Sequence, residues 1–106
     1  MKTAIELIAE ERQRQIDAEG YTAEHDDDHA DFSLSRAGAC YALAADTATP
    51  SEHPYRFWPW EAAAWKPSLE DPIRDLVKAG ALIAAEIDRL QRAERRFQEE
   101  GWRSQL

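Results

Sequence analysis

The chain reads as all-α: a small helical domain with three main helices and one long ordered loop rich in proline and tryptophan. Three observations predict this. Apolar residues recur at helical spacing in three separate stretches, and cap-forming residues stand at the ends of those stretches. No run alternates apolar and polar residues as a half-buried strand would. The 106 residues suit a single domain spanning 1–106.

The first helix is expected over Ala4–Glu19. Thr3 and Glu6 have capping-box spacing, and Gly20 is placed to end the helix in a left-handed cap. Ile5, Leu7, Ile8 and Ile16 form a sparse apolar stripe, and the polar stretch from Glu10 to Gln15 reads as a solvated face. A short polar segment, 21–30, follows. The second helix is expected over about 32–45, where Phe32, Leu34, Ala37, Cys40, Tyr41 and Ala44 recur at helical spacing. Its Ala37-Gly38-Ala39 stretch is small enough for another helix to approach closely.

Residues 46–70 read as an ordered loop. Pro50, Pro54, Pro59 and Pro67 interrupt regular structure, while Tyr55, Phe57, Trp58, Trp60 and Trp65 require the loop to pack against something. The last helix runs from 73 to about 99, started by Ser68, Asp71 and Pro72. Leu76, Ile83, Leu90 and Phe97 lie seven apart, with Gly80 and Ile87 in the companion row until Glu94 breaks it. Such a helix is roughly 40 Å long. That is more than so small a domain covers alone, so a homo-oligomer joined through this C-terminal helix is expected.

Charge narrows the partners. With 21 acidic and 13 basic residues the net charge is -8, which repels a phosphate backbone and argues against a nucleic-acid partner. No apolar run is long enough to span a bilayer, and the N-terminal residues lack a signal-peptide core. The lone Cys40 forms no intramolecular disulfide and reads as a small core residue. A cytoplasmic protein with no membrane partner is expected.

Three groups of residues carry possible chemistry. The first is Glu24-His25-Asp26-Asp27-Asp28-His29-Ala30-Asp31. Its carboxylates suit Mg²⁺ or Mn²⁺, and its imidazoles suit Zn²⁺ and its neighbours, with His25, Asp28, His29 and Asp31 as candidate ligands. The plainer reading is turn chemistry, with Asp31 capping the next helix. The second group is Asp75, Lys78 and Glu86, which share one sector of the last helix beside Leu82. Asp75 and Glu86 would complete the metal site and Lys78 would meet a phosphate. The plainer reading is a helix edge with an Asp75–Lys78 ion pair. The third group is Tyr55, Arg56, Trp58, Trp60, Trp65 and Lys66, whose flat rings and adjacent cations suit stacking on a nucleobase and contact with its phosphates. The plainer reading is a satellite core that holds the loop down. His53 by itself carries no signal. There is no Gly-rich phosphate loop, nucleophile elbow or CxxC pair.

The stretches Glu11-Arg12-Gln13-Arg14-Gln15-Ile16, Glu19-Gly20-Tyr21-Thr22, Glu24-His25-Asp26-Asp27, Trp58-Pro59-Trp60, Trp65-Lys66-Pro67 and the run 75–83 together resemble a recurrent small protein family of phages and prophages. The resemblance covers nearly the whole chain and implies a host-cytoplasmic setting. More loosely, the layout is similar to the all-α nucleoside triphosphate pyrophosphatases of the MazG type. That likeness implies oligomeric helices holding Mg²⁺ with an E-x-x-E and a later E-x-x-D pair. This chain departs from the pattern. Its nearest match is Asp28-x-x-Asp31, and only Asp75 and Glu86 stand in for the second pair.

Three functions are therefore expected as alternatives. The first is a phage-type binder of a nucleotide or nucleotide-derived signal, which would sequester a host immune messenger. The second is a Mg²⁺-dependent nucleoside triphosphate pyrophosphohydrolase. The third is an acidic interaction module acting on a host protein. The first two require the histidine–aspartate segment and the tryptophan loop to share a cleft beside the last helix.

Overall fold

Thr3 opens the first helix as the spacing predicts. Its hydroxyl accepts the Glu6 backbone N–H while the Glu6 carboxylate accepts the Thr3 N–H, a reciprocal capping box. Residues 1–45, 54–68 and 70–104 are described by a computed structural model, and the side chains of residues 54, 55 and 102–104 lie outside it. Helix α1 is Ala4–Glu19 and ends at Gly20, whose φ of 75° is the left-handed cap that glycine adopts without steric cost. Helix α2 (Ala23–Asp27) lies inside the segment expected to be a turn and is capped by the Thr22 hydroxyl. Helix α3 is Ser33–Ala44. Two 3₁₀ turns, Pro54–Phe57 and Ala62–Ala64, order the tryptophan loop. Helix α4 is Pro72–Ser104 and runs further than its seam predicts. No strand occurs among the described residues, and no helix there is long and apolar enough to cross a membrane.

The core lies where α4 packs on α3, with α1 against the other flank of α4. Leu34, Ala37 and Tyr41 of α3 meet Ala79, Leu82 and Ala85 of α4. Gly38 allows this approach. A Cβ there would sit 3.0 Å from Ile83 Cγ1 and 3.3 Å from the Ala79 carbonyl oxygen. Cys40 is buried, as a small core residue should be.

One packing expectation is inverted. Glu11 and Gln15, in the stretch read as solvated, are 2% and 3% exposed, whereas Ile5 is 76% exposed. Charge pairing explains the inversion. Glu11 accepts from Arg14 Nε at 2.8 Å, from Arg74 Nη2 at 2.6 Å and from Gln15 Nε2 at 3.3 Å, so its burial is compensated. The heptad row of α4 does not enter the core. Leu76, Ile83, Ile87, Leu90 and Phe97 are all exposed, and the neighbouring sector of the helix does the packing. The molecule is elongated along α4, 57 × 34 × 23 Å.

Candidate functional site

Several hydrogen bonds hold the tryptophan loop against the helices. The Lys66 backbone N–H donates to Tyr41 Oη at 3.1 Å, and Lys78 Nζ donates to the Lys66 carbonyl at 2.7 Å and to Ser68 Oγ at 3.2 Å. Asp75, which is buried, accepts the Ser68 N–H at 2.7 Å. Trp58 Nε1 donates to the Glu61 carbonyl at 2.9 Å. Lys78 also lies over the Tyr41 ring, 5.5 Å from its centroid. Burial pulls the Lys78 ammonium below its ordinary value, with Arg74 adding to the effect.

The loop then presents its indoles to α1, α2 and α3. Trp58 meets Tyr41 edge-on at 5.6 Å and Trp65 at 4.9 Å. Trp58 also meets Trp60 edge-on at 5.3 Å. Trp60 in turn lies 5.7 Å from Tyr21, 6.3 Å from His25 and 5.3 Å from His29. The His25 ring stacks on Tyr21 at 4.6 Å and 12°, and its centroid is 4.5 Å from that of His29. One continuous array of rings thus joins residues 21–29, Tyr41 of α3 and residues 58–65.

Two hollows flank this array. The inner one, about 40 Å³, is bounded by Glu11, Gln15, Tyr21, Tyr41, Trp58 and Trp60, with Arg14, Lys66 and Lys78 beside them. It has room for one or two waters. Gln15 Oε1 and Trp60 Nε1, both on residues lining it, are buried and have no hydrogen-bond partner among the described residues. The outer hollow is an open groove of about 500 Å³ lined by Tyr21, His25, His29, Pro59, Trp60, Glu61 and Ala64. That volume lies in the range of small-ligand sites.

Electrostatics organise the inner wall. Burial opposes the charged form of Glu11, but its hydrogen bonds to Arg14 and Arg74 outweigh this and hold its carboxyl below the ordinary value. The same contact raises Arg14 further above its already high value. Burial pushes the Tyr21 hydroxyl up to about 12, so the ring stays neutral.

The residues expected to hold a metal are spread over separate tasks. Asp31 accepts the Ser33 N–H at 3.2 Å at the start of α3. Asp75 anchors Ser68, and Glu86 is buried against Arg89 and accepts the Ser35 hydroxyl at 3.1 Å. Eleven residues of helix put Asp75 and Glu86 about 16 Å apart. Asp28 is exposed. His25 Nδ1 is held by Asp26, and Asp27 by Arg92 and Arg96 of α4. Among the described residues no group of three or more His, Cys, Asp or Glu side chains could hold a metal ion. The Asp75–Lys78 ion pair does not form either, because both side chains serve the loop.

Of the expected ligand contacts, Trp58, Trp60 and Trp65 are half-buried and brought together, Lys66 is exposed with Nζ 3.9 Å from Glu19, and Arg56 is exposed. The expectation for Tyr55 lies outside the described side chains, as does any account of His53. The sequence reading missed Tyr21, Glu11, Gln15 and the pairing of Asp26. Tyr21 stood in a motif, but nothing local signals that its ring meets His25. Comparison of the chain with protein-family models, with curated proteins and with solved structures gives no match.

Proposed function

We propose that the protein is a nucleotide binder whose groove between α2 and the tryptophan loop takes the planar base. The observation that carries this reading is the meeting of Tyr21, His25, His29 and Trp60 around one open groove of about 500 Å³. Aromatic walls of this kind favour a flat heteroaromatic ring, and each stacked ring contributes about 1–3 kcal/mol. Lys66, on the same loop and beside the inner hollow, is exposed and only loosely paired with Glu19, which leaves its ammonium available for a phosphate. Arg14 and Lys78 are engaged by Glu11 and by the loop backbone.

Binding is favoured over Mg²⁺-dependent hydrolysis because Glu11, Asp26 and Asp27 are committed to arginines and Asp75 to a backbone amide, and no three His, Cys, Asp or Glu side chains among the described residues could share a metal ion. A binder that releases its ligand unaltered suits the sequestration of a nucleotide signal. The test is tryptophan fluorescence and thermal shift against a panel of nucleosides and nucleotides, with and without Mg²⁺ or Mn²⁺. A ligand of the folded state raises Tm and quenches the indoles. Recovery of intact ligand from the heat-denatured complex separates binding from turnover. A flat response to every base at millimolar concentration would falsify the reading.

The exposed row of α4 supports a second proposal: a second copy of this chain covers it. Ile73, Leu76, Ile83, Ile87, Leu90 and Phe97 are 44–76% exposed and, Ile73 aside, follow the three–four spacing of a helix pair. Ala84, Gln91 and Ala93 flank the row, and Glu94 within it limits how far the apolar contact extends. Light scattering should give twice the chain mass of 12.1 kDa, and Ile87→Glu should give the monomer with helix content unchanged. A monomeric native chain at tens of micromolar would exclude the pair.

A further inference from the structure

Asp26 is fully buried beneath the groove. Arg12 Nη2 donates to its Oδ2 at 3.2 Å, and the same guanidinium is held by the Tyr21 carbonyl at 3.3 Å. The other carboxylate oxygen, Oδ1, lies 3.0 Å from His25 Nδ1. A carboxylate paired with arginine accepts hydrogen bonds and does not donate them, so Nδ1 of His25 must carry the proton. In the neutral ring this leaves Nε2 as an acceptor. The ring itself is held in place by stacking on Tyr21 and by the neighbouring His29. Among the described residues Nε2 has no hydrogen-bond partner, and His25 lines the groove.

We infer that His25 Nε2 is the specificity-determining acceptor of the groove and selects a planar heteroaromatic ring bearing an N–H donor on its edge, such as the exocyclic amine of an aminopurine. The inference rests on the groove being the ligand site. Four features on the page support it: a buried carboxylate, an arginine that fixes that carboxylate, an imidazole pinned in one tautomer, and a ligand-sized opening beside it. Among the described residues His29 has no hydrogen-bonded carboxylate, Asp31 acting on it only through space, so its tautomer adapts and does not discriminate. A site built around an acceptor rejects a ring lacking the donor, because the acceptor is then left desolvated and unpaired.

Adenosine and purine riboside provide the test, since they share ring and sugar and differ only in the amine. Tryptophan quenching should show adenosine binding about tenfold more tightly, the effect of one hydrogen bond. In His25→Phe, which keeps a ring and loses the acceptor, the two affinities should converge, and His25→Gln should recover part of the preference. Imidazole ¹⁵N NMR of the unaltered protein gives a readout that needs no variant. Nε2 should appear unprotonated and shift with adenosine but not with purine riboside. Equal affinities in the native protein, or an Nε2 signal that ignores the amine, would overturn the inference while leaving the groove reading intact. Failure of both nucleosides to bind would remove both.

Discussion

The backbone of Lys66 is gripped from two helices at once: its N–H by the Tyr41 hydroxyl of α3, and its carbonyl by the Lys78 ammonium of α4. This double anchor turns a proline-rich segment into a wall of the groove, because it sets where Trp65, Trp60 and Trp58 stand relative to the helices. Tyr41→Phe removes the acceptor and leaves the ring in place. The expected result is a loss of about 1 kcal/mol of stability, together with greater acrylamide quenching of the tryptophans. Quenching unchanged from the native protein would show that the tyrosine does not hold the loop.

Glu86 and Arg89 are both nearly buried, so they behave as a unit. Glu86→Ala leaves a buried guanidinium unpaired and should cost about 3 kcal/mol. Replacing both residues by leucine removes the desolvation penalty with the pair, and much of that stability should return. Chemical denaturation of the two variants checks this. A double variant as unstable as the single would contradict it.

The Glu11 cluster predicts sensitivity to acid. Its folded carboxyl value lies below the ordinary 4.5, so the unfolded chain takes up the proton first. The stability it contributes is complete above 4.5 and is lost as pH falls below that value and through the folded one. Glu11→Gln should cost about 1–2 kcal/mol at pH 7, at the lower end for charged hydrogen bonds because Arg14 and Arg74 are partly exposed. The gap between native and variant should narrow in melts run from pH 5 to pH 3. A gap that is constant over that range would refute the assignment.

Gly38 and Gly80 should respond differently to alanine. At Gly38 the new methyl would press on Ile83 Cγ1 and on the Ala79 carbonyl, and the carbonyl moves only if α4 moves. At Gly80 it would meet the tip of Ile8, 2.8 Å away, which can rotate. Gly80→Ala should keep most of the helix-propensity gain of about 1 kcal/mol, whereas Gly38→Ala should lose it to overpacking and lower Tm by several degrees. Equal melting temperatures for the two variants would refute the packing account.

Local signals in the chain determined the elements. The Thr3–Glu6 box, Gly20, the Leu34–Tyr41 periodicity and the proline start of α4 depend on neighbours within one or two turns, and each produces the helix or stop it implies. The groove is different in kind. Tyr21 and His25 are close in sequence, but Trp60 reaches them only because Lys66 and Ser68 are tied to α3 and α4. Only the tertiary structure sorted the charges. Glu11 lies inward because Arg74, sixty-three residues away, neutralises it there, and Asp27 serves Arg92 across a similar span. A carboxylate's role depends on which cation shares its low-dielectric surroundings. Spacing along a helix determines the face a residue occupies, but not the partner that covers that face.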